Sequence, residues 1–380
     1  RDSIDDVANY PADDDLLEAQ SLVAGNVLVT MTDEGRLTQL DLTDGSTQRR
    51  RTGPEQALRI SRDHPAIALS GPSAGGDVTI IDTRDRSVLS VADVAGLDDP
   101  LIFGTEVLVN PSGSHVAMPV PNAFQSVIIE LETETVKALA GRVIALDDER
   151  VVTEQPAGGE SELEFYAVAG ARLGSVDVVS PEASLLRRDG TMLLVGVDGA
   201  VLTASADGSV DEIGTLTDPD ALPVEITHGR RVADGDRLLA TGPRRVFVLD
   251  PDGNQIGYAD GTLSTTPRSG ARCVIAGVGS STAPSTVLDL ETGAAIAVTE
   301  QGLVGATAFD GCTASFIGST PQLLANGEIT EIDADAIATI APDGSAYVAL
   351  DGRDAEYVEI EGDAPVEIGE RTAVIHFGQR

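Results

Sequence analysis

Asp41-Leu42-Thr43-Asp44-Gly45, Asp289-Leu290-Glu291-Thr292-Gly293 and Glu359-Ile360-Glu361-Gly362 are three copies of one short pattern. Each copy follows an alternating apolar run and precedes another. The position of its turn recurs at Gly45, Arg86, Glu134, Gly170, Gly208, Gly253, Gly293, Gly327 and Gly362, in steps of 34 to 48 residues that average about 40. That period lies in the range of propeller blades. A second punctuation interlocks with the first: a polar turn runs into an apolar strand at Asp63-His64-Pro65, Pro111-Ser112-Gly113, Asp189-Gly190, Asp234-Gly235 and Asp343-Gly344. Glycine accepts positive φ and the aspartate side chain bonds nearby backbone N–H groups, so Asp-Gly favours a tight hairpin. Each unit therefore reads strand, tight turn, strand, longer loop, strand, Asp/Glu-x-x-Gly turn, strand.

The expected fold is all-β: a β-propeller of four-stranded antiparallel blades with the first strand of each unit innermost. Nine units are counted, and seven to nine blades are allowed if terminal units fuse. A lone meander cannot bury both faces, so units must stack. The repeat crosses the midpoint of the 380 residues without a linker. The expected organisation is an acidic N-terminal stalk over 1–17 and a single propeller domain over 18–380. Asp13 to Leu22 reads as a short helix or as a lead-in to the first strand. Arg371 to Phe377 is expected to close the last unit against the first.

Sixty-two acidic residues against 25 basic ones give a net charge of -37. Such a field repels nucleic acid and anionic headgroups and favours cations; the blander and favoured account is adaptation to salt or to an exposed extracytoplasmic setting. Lys137 is the only lysine, a bias that suits a high-GC genome. No apolar stretch is long enough to span a bilayer as a helix. The chain opens at Arg1, and its polar lead-in suggests a segment following an anchor, hence an extracytoplasmic location.

The two cysteines, Cys273 and Cys312, stand 39 residues apart, one repeat. At matched positions of adjacent units they form a disulfide in an oxidising compartment, or they are two small buried hydrophobes. The histidines, His64, His115, His228 and His376, are dispersed, and no His-x-His, His-Glu-x-x-His or Cys-x-x-Cys occurs, so no metal or redox site is expected. Gly-x-Ser-x-Gly and the phosphate-binding Gly-rich loop are absent. Asp250-Pro251-Asp252-Gly253 and Asp147-Asp148-Glu149 have calcium-like oxygens but fall at turn positions. Arginines cluster at 49–51, 187–188, 230–231 and 244–245, either as anion clamps or as neutralising charges on blade edges.

In the repeat register, loops between second and third strands share a face with inter-unit connections. That face carries Phe124, Arg244, Arg353, Asp98 and Asp99, together with Asp218-Pro219-Asp220. Phe124 belongs to the 3% of residues that are aromatic, and a loop-tip aromatic serves as a partner anchor or folds back on its blade.

The Asp-Leu-x-Thr-Gly and Pro-Asp-Gly turns resemble those of TolB, YVTN and quinoprotein-like propellers. The chain has no tryptophan, which removes the Trp-Asp blade signature and tryptophan-docking motifs. The acidity, arginine bias and full-length repeat also look like actinobacterial envelope proteins, among them the mycobacterial and corynebacterial polar-growth and lipoglycan-assembly propellers. That resemblance implies a glycolipid ligand or a membrane-protein partner. The expected function is a non-catalytic extracytoplasmic binding or scaffold module, monomeric, without cofactor and without nucleic acid. The alternatives are a glycan-acting lyase or hydrolase and a purely protein-binding module.

Overall fold

The structure is a computed structural model. It describes residues 20–370 apart from 33, 53–55, 73–77, 93–106, 121–123, 158, 233–235, 266, 269, 279–283, 300–302, 309, 318–319, 342, 352–353 and 361–365. The expected stalk, Arg353, Asp98, Asp99, His376 and the closing run from Arg371 lie outside the described residues. The described residues form nine four-stranded antiparallel sheets, each built from four consecutive strands in chain order. They span 20–51, 56–90, 108–140, 142–179, 183–215, 228–260, 262–299, 303–331 and 336–370. Leu22 lies in the first strand, Gln20–Ala24. The chain divides into two compact units, the first holding sheets one to three up to Ala140 and the second holding sheets four to nine from Gly141 to Arg371.

All eight described positions of the recurring turn adopt left-handed backbone: Gly45, Gly170, Gly208, Gly253, Gly293 and Gly327, but also Arg86 at φ 62° and Glu134 at φ 53°. The leading aspartate closes the turn locally. Asp41 Oδ1 accepts from Thr43 N at 2.8 Å, and Asp289 Oδ1 accepts from Thr292 N at 2.8 Å. Left-handed backbone costs a residue with a Cβ about 1–2 kcal/mol, partly offset by the greater freedom glycine loses on folding. Glu134→Gly should therefore stabilise the protein by about 0.5–1 kcal/mol, read as a rise in the denaturant midpoint.

The core is a series of apolar layers, each shared by two successive sheets. In the first unit, Leu22, Val29 and Leu37 pack with Ala68 and Ile81 between sheets one and two. Ile67, Leu69 and Ile80 pack with Val116, Met118 and Ile129 between sheets two and three. The second unit repeats the scheme between each successive pair of its sheets. Strand alternation divides the side chains. In Met192–Val195, Met192 and Leu194 face sheet four, while Leu193 and Val195 face sheet six. Both faces are buried, so these antiparallel strands read as continuous apolar runs and not as the usual alternation.

First strands approach one another across neighbouring sheets, including Ala183–Leu186 against His228–Val232. A Cβ at Gly229 would fall 1.9 Å from the Cβ of Ala183, so only glycine permits that approach. Fourth strands lie outermost and are largely exposed, as in Val210–Thr215 and Glu328–Glu331. Innermost first strands, buried middle strands and exposed fourth strands are the anatomy of propeller blades.

Cys273 and Cys312 form a disulfide with Cα atoms 4.9 Å apart. Cys273 opens the second strand of sheet seven, Cys273–Gly277. Cys312 falls two residues ahead of Ala314–Ile317 in sheet eight, in the preceding turn. The bond crosses the layer that Ile275 and Val287 share with Phe316 and Leu324.

Candidate binding face of the second unit

Antiparallel order puts both tight turns of a sheet at one end, and its central loop with the inter-sheet connections at the other. In the second unit the loops and turns at the two ends differ in chemistry, although the outer strands also expose Leu173, Val210 and Ile296 near the turn end. The turn end carries self-bonded acids: Asp189 Oδ1 accepts from Thr191 N at 2.9 Å, and Asp343 Oδ1 accepts from Ser345 N at 3.0 Å. Both calcium-like segments lie there. Asp250 holds Asn254 through both oxygens, at 2.8 and 2.9 Å, and Asp147 Oδ1 accepts from Glu149 N at 2.7 Å. These carboxylates serve the turns.

The loop end carries exposed aliphatic side chains: Val179, Val197, Leu222, Val278, Leu303 and Ile317. Val278 is 72% exposed, directly after the strand that Cys273 opens. Leu303 and Ile317 are register partners at the same end of sheet eight. The loop end thus presents a discontinuous apolar rim. In the first unit, Phe124 occupies the corresponding loop of sheet three; it is 81% exposed and holds φ at 47°. An exposed aromatic on left-handed backbone gains nothing from its own core, and such unfavourable geometry gathers at binding sites.

The connection from sheet five to sheet six is locked to the central loop of sheet six. Arg245, with its side chain only 10% exposed, pairs with Asp218 and Asp220, and its Nε reaches Asp260 Oδ1 at 2.7 Å. Its guanidinium lies 5.5 Å from the Tyr258 ring centroid, within cation–π range. The bond to Asp260, with those to Asp220 and Asp218, raises its pKa further above the ordinary value. Burial pushes the Asp218 carboxyl up, but the Asp220 N–H and Arg245 outweigh it and hold it below the usual range. Arg244 is exposed, and its Nη2 donates to Pro223 O at 3.2 Å. At Gly242 a Cβ would fall 2.1 Å from Glu225 O, so loop and connection meet backbone to backbone. Leu222 is carried on this locked segment.

Of the residues singled out from sequence, Phe124 and Arg244 lie on loops of the expected type, in different units. The arginine pair 244–245 divides: Arg244 stays exposed in the loop, and Arg245 makes the charged contacts. The only sequence signal for Arg245 is the nearby Asp-Pro-Asp. His64 and His115 serve local structure: His64 Nδ1 accepts from Ala66 N at 3.2 Å, and burial, then Arg84, lowers its pKa. His115 Nδ1 lies 2.9 Å from Ser114 Oγ. Among the described residues no group of three His, Cys, Asp or Glu side chains is arranged to hold a metal.

A buried polar cluster sits in sheet four. Glu164 accepts from Tyr166 Oη at 2.7 Å and Gln155 Nε2 at 2.9 Å, and pairs with Arg172 at 2.8 Å. Burial, reinforced by Glu164, pushes the Tyr166 phenol up to about 12. A phenol whose pKa is higher folded than unfolded favours the native state below the unfolded value, and that advantage disappears as pH rises from about 10 through about 12. Phenolate absorbance should show one of the five tyrosines ionising near that upper value. Tyr166→Phe should remove that step and the accompanying loss of stability.

No family model and no curated relative matches the chain. Among solved structures, a eukaryotic initiation factor aligns with 93% of this chain and 87% of its own at 11% identity and TM-score 0.50. The C-terminal WD40 domain of Sif2 aligns with 92% and 98% at 13% identity and TM-score 0.47. Apo AztD from Citrobacter koseri aligns with 83% and 94% at 12% identity and TM-score 0.44. Only the first of these likenesses bears on the fold, and it bears on nothing else. The sheets and their packing define a β-propeller protein of nine four-stranded blades.

Proposed function

We propose that the protein is a non-catalytic binding or scaffold propeller that receives its partner on the loop end of its blades. The observation that carries this reading is the exposed rim of Val179, Val197, Leu222, Val278, Leu303 and Ile317, opposite an end of self-bonded acidic turns. Aliphatic groups lifted out of the core at one end of successive sheets gain by being covered. Arg244 and Arg245 hold the scaffold beneath the rim, and the rim supplies the contact.

The finer reading is an extracytoplasmic, monomeric module of the cell envelope, with an amphiphilic glycolipid or an envelope membrane protein as its partner. It follows the resemblance to TolB-like propellers and to the mycobacterial and corynebacterial lipoglycan-assembly propellers. The disulfide supports the location, because such bonds persist in oxidising compartments.

The test is to purify the protein from its own host in mild detergent and identify what accompanies it by lipid extraction and native mass spectrometry. A stoichiometric amphiphile or membrane protein is expected. Val278→Asp with Ile317→Asp should cut its occupancy at least roughly tenfold, about 1.4 kcal/mol. Equal occupancy in that variant would move the site off the rim. Multiple turnovers on a glycan would replace the reading with the lyase or hydrolase alternative.

A further inference from the structure

The outermost strand of the first sheet, β4 (Thr47–Arg51, TQRRR), is chemically unlike the other outer edges. Arg49, Arg50 and Arg51 are all exposed in a chain of net charge -37. Its partner β3 (Arg36–Asp41) pairs with it without a register shift: Arg36 with Arg51, Leu37 with Arg50 and Thr38 with Arg49. Alternation places Arg36, Arg49 and Arg51 on one face of the sheet. Arg36 and Arg51 are directly opposite, an arrangement that like charges make unfavourable. Arg36 reaches Glu34 at 3.8 Å. Among the described residues, no ion pair forms at Arg49 or Arg51.

The backbone of the same strand is open. Asp41 N donates to Ser46 O at 2.9 Å, and Thr52 N donates to Gly35 O at 2.7 Å. That phase turns the N–H and C=O of Gln48 and Arg50 inward to β3. The N–H and C=O of Thr47, Arg49 and Arg51 therefore point away from the sheet, and among the described residues no fifth strand takes them. The residues with outward backbone groups are thus the ones whose guanidinium groups share a face with Arg36. Two other outer strands are blunted: Val210–Thr215 carries Asp211 and Glu212 and a register shift, and Glu328–Glu331 has an acid at each end.

We propose that β4 is a docking edge for an extended acidic polypeptide segment. The segment adds a fifth antiparallel or parallel strand, its backbone bonding Thr47, Arg49 and Arg51, with alternate carboxylates meeting Arg36, Arg49 and Arg51. Edge addition gives affinity through the main chain and selectivity through every second side chain. Arginine matches carboxylate geometry with two donors. The open backbone favours a polypeptide over a free anion or a lipid headgroup, which would use the charges alone. The site is independent of the apolar rim.

The test uses the intact protein and a capped peptide of alternating Glu and Thr, with binding followed by fluorescence anisotropy. Binding is expected to weaken at least roughly tenfold in Arg49→Glu/Arg51→Glu, and to fall steeply with added salt. A peptide N-methylated at alternate amides, with its charges intact, should bind at least roughly tenfold more weakly. A Lys-Thr peptide should not bind. The double variant should keep its circular dichroism and melting temperature, because both side chains are exposed. Absence of binding, undiminished binding to the variant, or equal binding of the N-methylated peptide would overturn the proposal. Binding of phosphatidylglycerol vesicles without binding of the peptide would overturn it in favour of a lipid headgroup.

Discussion

Truncating Phe165 to alanine should cost the protein about 3–5 kcal/mol of stability. Phe165 is 0% exposed, in the third strand of sheet four, Glu160–Ala167. It packs with Val152, Leu163 and Val178 of its own sheet and with Leu186, Met192 and Leu194 of the next. The loss combines the transfer energy of the ring with a cavity that two sheets, each held by its own ladder, cannot collapse to fill. Set against typical domain stabilities of about 5–15 kcal/mol, it is a large fraction. Denaturant titration should show a lower midpoint. A loss below about 1 kcal/mol, the scale of surface substitutions and not of cores, would contradict the layered core.

Breaking the Cys273–Cys312 bond should cost about 2–4 kcal/mol. The bond closes a loop with a sequence separation of 39, for which chain entropy alone gives about 4 kcal/mol. Reduction leaves the thiols in an apolar layer beside Ile275 and Phe316, so the folded state changes little and the effect falls on the unfolded chain. The non-reduced protein should show no free thiol after unfolding, and reduction should lower the denaturant midpoint. Two titratable thiols in protein taken directly from its native compartment would refute the bond.

The architecture was legible because its signal is repeated. Any one Asp-x-x-Gly is weak, but the period carried the reading through Arg86 and Glu134, where no glycine marks the turn. Both positions are left-handed, although their residue types argue against it. Matched repeat positions likewise pointed to the cysteine pair, while the placement of Cys312 in a turn needed coordinates.

The site was less legible. In an Arg-Arg dipeptide at a strand start, adjacent side chains take opposite directions, and one position of phase decides which is buried. That phase made Arg245 the centre of three carboxylates and left Arg244 with a backbone carbonyl. The rim is hidden in the sequence for a related reason. Val278 and Ile317 stand at strand ends, and their residue type is that of the core beside them, so only exposure separates them.

The sharing of the described apolar layers between two successive sheets has a consequence for how such a gene can change. One inserted or deleted residue inside Met192–Val195 would exchange the side chains facing sheet four with those facing sheet six, damaging two layers at once. Duplication of a whole four-strand segment brings matching surfaces to both of its neighbours. Selection therefore tolerates length variation in the connections and in complete segments, and removes almost everything between. A lineage of related chains should differ by few residues within strands, by many in loops, and by steps of about one repeat period in total length.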